Sequence, residues 1–268
     1  MNRKKVLLLG GMGEVGRILQ EGLCNSYDVL VADIVKNVPF DRENYVHIDV
    51  TNFNELREKV SPDIDVIINL VGLPEKEKII TEIEAEQMCN VYVLGSYNVF
   101  LVANLRNIGK VIFASTNHVT GNYESNGYSK LGRPIDTSDY PSPDSTYGAM
   151  KACAELIGLV FSNECPISVI SLRIGTVNNN EMNFLASNDR VKRTLLSKVD
   201  TVNLFKAAIE TNVRYGVYYG VSDNPDRPWV IENAIRDLSY YPTESAKDLI
   251  EESSSKKAAK KKMMRKIW

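Results

Sequence analysis

Three observations predict an α/β fold with a doubly wound parallel sheet. Short apolar runs alternate with amphipathic helical patterns along most of the chain. The runs are nearly continuous in apolar character rather than alternating with period two, as strands covered on both faces must be. A glycine cluster follows the first run directly and opens the first helix, the arrangement that lets backbone approach a phosphate.

The first strand is "KVLLLG", and the pattern at 13–23 reads as the helix that follows it. "DVLVAD" and "YVHID" are the next strands, then a helix at 52–59 and the strand "DVIINLVG". A long apolar helix is predicted over 81–107, and "KVIFAST" follows as a buried strand. The next helix covers 146–163, with Asp144 or Ser145 available as its N-cap, and leads to the strand "ISVISLRIG". Beyond Gly175 the character changes. "TVNNNEMNFLASNDR" is polar and asparagine-rich and reads as a loop. A helix near 197–211, a strand near 216–221 and a helix near 229–238 come after it.

Composition bounds the function. The 268 residues suffice for one large domain or a domain with a small appendage. A net charge of -2 gives no general attraction to nucleic acid. Cys24, Cys89, Cys153 and Cys165 lack close pairing, which disfavours a zinc site or disulfide framework, so no metal is expected and a reducing cytoplasmic setting fits. The basic start "MNRKKVLLLGG" has too short an apolar run for a signal peptide. No segment approaches the roughly 20 apolar residues of a membrane span, so no membrane partner is expected.

"VLLLGGMGEVGRIL" contains the nucleotide signal. Gly10, Gly13 and Gly16 are spaced three apart, and Gly11, Gly13 and Gly16 fit G-x-G-x-x-G in an overlapping register. Absent side chains allow a tight turn and close approach of a pyrophosphate, while the helix start at Glu14 and Val15 presents N–H groups to it. Asp33 ends the second strand 17 residues beyond Gly16, where a carboxylate accepts ribose hydroxyls and repels a 2′-phosphate, the alternative being that it only caps the following turn. NAD is therefore expected over NADP, with Lys36 the one feature that argues otherwise. The fold class becomes a Rossmann-type doubly wound parallel sheet with a small C-terminal substrate-binding lobe. Residues 1–175 form the NAD-binding domain with the catalytic helix, 176–251 the lobe and 252–268 a basic tail. The tail has seven basic and no acidic residues after Glu252; it reads as solvated rather than as a contact for an anionic surface.

"DSTYGAMKACAELIG" places Tyr147 and Lys151 at i, i+4 on one helix face. Tyrosine, with an ordinary pKa of about 10, is a poor base at neutral pH. A nearby ammonium favours the phenolate.

"GGMGEVG", Asp33, "HIDVT", "NLVG", "STNHVTG" and "YGAMK" together resemble the extended short-chain dehydrogenase/reductase superfamily, the NAD-dependent epimerases and dehydratases. The resemblance implies a catalytic triad of Thr116, Tyr147 and Lys151, with Ser115 beside it and Asn90 as a supporting relay. It further implies Asp49 and Val50 at the adenine, Leu70, Val71 and Gly72 along the cofactor, and Ile174 against the nicotinamide. Thr120 stands where that superfamily usually has an aromatic.

"FASTNHVTGNY", "SLRIGT", "RVKRTLLSKVD" and "YYGVSDN" are similar to uronate dehydrogenases, up to about residue 250. That likeness implies NAD-dependent oxidation of the C1 hemiacetal of a hexuronate, or a related aldose, to a lactone. Asn117 and His118 would touch the sugar, Arg190 would bind its carboxylate, and Thr176 would add a further contact. The bland alternatives are a loop carbonyl for His118, and Asp189 or Asp200 for Arg190. Pro74, Leu195, a longer loop before Arg190, the lone Trp229 and the basic tail depart from the pattern. Other readings are a sugar-phosphate dehydrogenase using Lys192 and Arg193, a nucleotide-sugar enzyme, and an NAD-sensing binding protein. The Tyr–Lys pair with Thr116 argues against the sensor. Helices 81–107 and 146–163 are expected to form the interface of a homodimer or higher homo-oligomer, the alternative being that their apolar stripes are wholly intramolecular, and a small sugar or sugar acid is the other partner.

Overall fold

Seven parallel strands form the central sheet of the computed structural model, which describes residues 3–36, 44–73 and 81–264. In chain order the strands are β1 (Lys5–Leu9), β2 (Asp28–Asp33), β3 (Tyr45–His47), β4 (Val66–Asn69) and β5 (Lys110–Thr116). A two-stranded hairpin follows, β6 (Glu124–Ser125) with β7 (Tyr128–Ser129), and then β8 (Ser168–Ile174) and β9 (Tyr215–Gly220). The sheet order is β3-β2-β1-β4-β5-β8-β9, so the winding direction reverses between β1 and β4. In open α/β sheets, ligands bind beyond the carboxyl ends of the strands at such a reversal.

Helices cover both faces. They are α1 (Glu14–Leu23), α2 (Phe53–Lys59), α3 (Glu82–Met88), α4 (Gly95–Leu105), α5 (Thr146–Glu164), α6 (Glu181–Ser187), α7 (Val191–Thr194), α8 (Lys198–Glu210), α9 (Glu232–Leu238) and α10 (Ala246–Met264). Strand residues alternate between two cores. Val6, Leu8, Ile68, Ile112 and Ile170 pack with Leu19, Leu23, Leu204 and Phe205 from α1 and α8. Leu7, Leu9, Ile67, Phe113 and Val169 pack with Leu56, Val99, Phe100 and Ala154 from α2, α4 and α5. Burial on both faces explains the continuous apolar runs. Polar side chains start the helices: Asn52 accepts from the Glu55 N–H, Ser145 from Gly148 and Ser197 from Asp200. Thr81 and Glu84 form a reciprocal capping box before α3.

Several expectations need correction. The helix predicted over 81–107 is α3 and α4 joined by a π-helical turn, Cys89–Leu94, in which the Gly95 N–H reaches back to the Asn90 carbonyl. Contrary to the hydropathy reading, Ile83–Leu105 is by length and composition apolar enough to cross a membrane; here its Val99, Phe100, Val102 and Ala103 are buried in the core. The polar stretch after Gly175 is not all loop. Leu185 in α6 joins Val191, Leu195 and Ala246 in a small separate core, with Met182, Phe184, Leu249 and Ile250 packed against it. A seven-residue helix needs such tertiary support. Residues 176–251 also contribute β9 to the main sheet and α8 to its covering layer. The α10 helix runs across residue 252, so the first part of the basic tail is helical. Pro74 and residues 265–268 lie outside the described residues.

Candidate active site

The crevice at the β1–β4 reversal is built by the glycine turn. Gly10 has φ +75°, and a Cβ there would lie 2.8 Å from the Val71 nitrogen. Only glycine lets the turn lie against the strand end carrying Leu70, Val71 and Gly72. At Gly16 a Cβ would come within 2.3 Å of the Gly11 carbonyl oxygen, so this glycine seats α1 against the turn. Gly13 caps α1 in extended conformation without a side-chain hydrogen bond, so the N–H groups of the first turn are capped by no side chain. The fingerprint thus divides its labour: turn at Gly10, helix entry at Gly13, packing at Gly16. Val15 packs against the α1-side core. The Glu14 carboxylate accepts from the Asn179 N–H at 2.7 Å and ties α1 to the segment before α6.

Asp33 secures the turn. Its Oδ2 accepts from Met12 N–H at 2.9 Å and its Oδ1 from Ile34 N–H at 2.8 Å, fixing a carboxylate at the end of β2. Asp49 Oδ1 accepts from the N–H and hydroxyl of Thr51, and Val50 is buried beside it. The bare helix start, the glycine cradle and the strand-end carboxylate fit the pyrophosphate and ribose of a dinucleotide.

The Tyr147 helix stands across the crevice. Ser145, not Asp144, caps it. One turn on, Lys151 is only 3% exposed, and its ammonium donates to the Ala114 carbonyl at 2.8 Å and the Val71 carbonyl at 3.4 Å. Its nitrogen lies 4.7 Å from the Phe113 ring centre, 5.2 Å from that of Tyr92 and 5.9 Å from that of Tyr147. Burial lowers its pKa to about 7, against the opposing pull of the Glu155 charge. The Tyr147 ring is held edge-on by Tyr92 at 5.2 Å and by His118 at 6.0 Å. The Tyr92 hydroxyl accepts from Leu73 N–H at 2.8 Å, linking this wall to the strand end after β4.

Thr116 and Ser115 are neighbours on β5 and point to opposite faces. The Thr116 hydroxyl accepts from His118 N–H at 3.2 Å and starts the 3-10 turn Asn117–Tyr123. Ser115 was expected at the substrate, but its hydroxyl donates to Glu155 in the interior. There Arg173 grips Glu155 with two bonds, Nε–Oε1 at 2.9 Å and Nη2–Oε2 at 2.7 Å. Burial works against the Arg173 charge, yet the Glu155 hydrogen bonds and charge outweigh it and raise its pKa. Sequence reasoning missed this pair. Its signals were an arginine inside an otherwise apolar strand and a glutamate one turn beyond Lys151 on the same helix face.

Beyond Thr116, the Asn117 amide donates to the Ile174 carbonyl at 2.8 Å, bridging the ends of β5 and β8. His118 Nδ1 contacts Asp144 at 2.9 Å, not a loop carbonyl. The Thr176 and Thr194 hydroxyls are 2.9 Å apart. Arg190 donates to both Asn117 and Thr176, so these three residues lie together. Its ion-pair partner is Glu124, however, rather than Asp189 or Asp200. Asn90 sits in the π turn, its carbonyl taken by Gly95. Among the described residues no cluster could hold a metal ion.

The sequence matches the NAD dependent epimerase/dehydratase family over residues 6–203. The uncharacterized protein YtbQ of Bacillus subtilis is 46% identical over 249 residues, spanning 93% of this chain and 98% of that protein. An NAD-dependent glucose-6-phosphate dehydrogenase of Haloferax volcanii is 27% identical over 92% of this chain and 96% of its own. The crystal structure of a glucuronic acid dehydrogenase from Chromohalobacter salexigens superposes with a TM-score of 0.78 at 26% identity, covering 93% of this chain and 88% of that one.

Proposed function

The chain belongs to the NAD dependent epimerase/dehydratase family, and within it we propose an oxidoreductase that oxidises the C1 hydroxyl of a sugar acid or related aldose to the lactone. One observation carries this reading. Lys151, buried and fixed to the Val71 and Ala114 carbonyls, stands beside Tyr147 at the carboxyl ends of β4 and β5. A buried lysine is expensive to keep, and a binding module has no use for it.

NAD, when bound, supplies the hydride acceptor. Gly10, Gly13 and the N–H groups of Glu14 and Val15 would hold its pyrophosphate. Asp33 would take a ribose, Asp49 and Val50 the adenine end, and Leu70, Val71, Gly72, Asn90 and Ile174 the remainder. The protein's own residues handle the proton. The Tyr147 oxygen takes it from the C1 hydroxyl, and the Lys151 ammonium stabilises the negative charge on that oxygen. Thr116 orients the sugar oxygen, while Asn117, His118, Thr176 and Arg190 surround the ring. Tyr92 and His118 press on Tyr147 from two sides and restrict its rotation.

The test is absorbance of NADH on mixing enzyme, NAD and a panel of sugars, uronates and sugar phosphates. Tyr147→Phe is expected to lower kcat by about 10²–10⁴-fold while NAD still binds. Undiminished turnover in Tyr147→Phe would remove the tyrosine from the reaction.

A further inference from the structure

We propose that Glu124 is an internal counter-ion that already occupies the Arg190 fork, so that the site takes an uncharged aldose in preference to a hexuronate or a sugar phosphate. The proposal rests on the C1-dehydrogenase reading and names its substrate class. Glu124 opens β6, immediately after the 3-10 turn that carries Asn117 and His118. Arg190 Nε donates to Glu124 Oε2 at 2.9 Å and to Oε1 at 3.2 Å, and Nη2 donates to Oε2 at 2.6 Å. The Gly127 N–H clamps Oε1 from the other side at 2.6 Å. The glutamate is 8% exposed and the arginine 26%.

The donor count decides what else this arginine can bind. A guanidinium has five N–H groups in a rigid fork. Glu124 takes the one on Nε and one on Nη2, Asn117 takes the second on Nη2 at 3.1 Å, and Thr176 takes one of the two on Nη1 at 3.3 Å. That leaves one donor, too few for the paired grip that carboxylate recognition uses. An incoming carboxylate or phosphate also meets the Glu124 charge at close range, and like charges there repel. The cations nearest in sequence are engaged as well: Lys192 pairs with Asp189 at 2.6 Å, and Arg193 lies 3.8 Å from the Tyr128 ring centre. Sugar hydroxyls suit the same wall, since each can accept from a cation and donate to a carboxylate or amide oxygen.

The experiment compares the native protein with Glu124→Gln, which keeps an oxygen for the Gly127 N–H but removes the charge, and with Glu124→Ala as a second variant. Initial rates with NAD are measured on D-glucose, D-galactose, D-xylose, L-arabinose, both hexuronates and glucose 6-phosphate. The native protein is expected to favour a neutral aldose over either uronate by at least about tenfold in kcat/KM. Releasing the fork should shift that ratio towards uronate by roughly 10–150-fold, the worth of one charge-assisted hydrogen bond. A native preference for uronate or sugar phosphate overturns the proposal, as does an unchanged ratio in both variants. Calorimetry of glucuronate binding to the NADH-loaded proteins reads the same selection without turnover. There Glu124→Gln should bind at least about tenfold tighter than native, and equal affinity overturns the proposal. Charge selection in binding with no NADH formed from any sugar would sink the dehydrogenase reading and leave the charge selection standing. Absence of glucuronate binding to native and variant proteins overturns the charge selection, and only if no sugar yields NADH as well does the dehydrogenase reading fall with it.

Discussion

Replacing Lys151 with methionine is expected to make the protein more stable and catalytically inert. The lysine is buried, with two carbonyls and three aromatic rings around its nitrogen and, among the described residues, no carboxylate in hydrogen-bond contact. Burial lowers its pKa from the ordinary 10.5 to about 7. At about 1.36 kcal/mol per pH unit, holding the charge in the fold costs at most about 5 kcal/mol. The sign follows from proton counting. Below about pH 7 both folded and unfolded chains hold the proton, and the cost is fully present. Between about pH 7 and 10.5 the unfolded chain binds more protons, so stability rises with pH as the cost fades. Methionine fills similar volume without charge but leaves the Ala114 carbonyl without its partner, a loss of about 1–3 kcal/mol. A net gain of at most about 2–4 kcal/mol at pH 7 remains. Urea denaturation of both proteins at pH 7 and pH 9 is the assay. The advantage of Lys151→Met should shrink by up to about 2.7 kcal/mol across those two pH units, and its turnover should fall at least about 10²-fold. Parallel stability profiles would refute the reasoning, because Lys151 would then carry no cost that burial imposes and function retains.

Two further outcomes follow from the structure. Asp33→Asn keeps an acceptor for the Met12 N–H but removes the charge, so the preference for NAD over NADP in kcat/KM should narrow; equal use of both cofactors by the native protein would contradict the role of Asp33. The end of the π turn and the outer faces of α4 and α5 expose Leu94, Tyr97, Leu156 (60% exposed) and Val160, the stripe expected to pair with a second copy. Sedimentation should give a dimer for the native protein and a monomer for Leu156→Glu combined with Val160→Glu; a native monomer would show that the stripe is not an interface.

What the sequence determined by itself was whatever depends on neighbours along the chain. Strand runs, the glycine turn after β1, the strand-end Asp33 and the i, i+4 spacing of Tyr147 and Lys151 follow from local sterics and periodicity, and the fold and its dinucleotide crevice were legible from them. The resemblance named Asn117, Thr176 and Arg190, and the first two lie within hydrogen-bond reach of the third. The tertiary structure decided the pairings between distant positions. It turned Ser115 inward to Glu155, supported α6 against α10, opened a π turn at Asn90 and set Glu124 against Arg190 from 66 residues away. No periodicity encodes such contacts, because each depends on which side chains two separate segments present to the same volume. The charge that faces Arg190 is therefore a property of the packed hairpin and loop, not of the motif that contains the arginine.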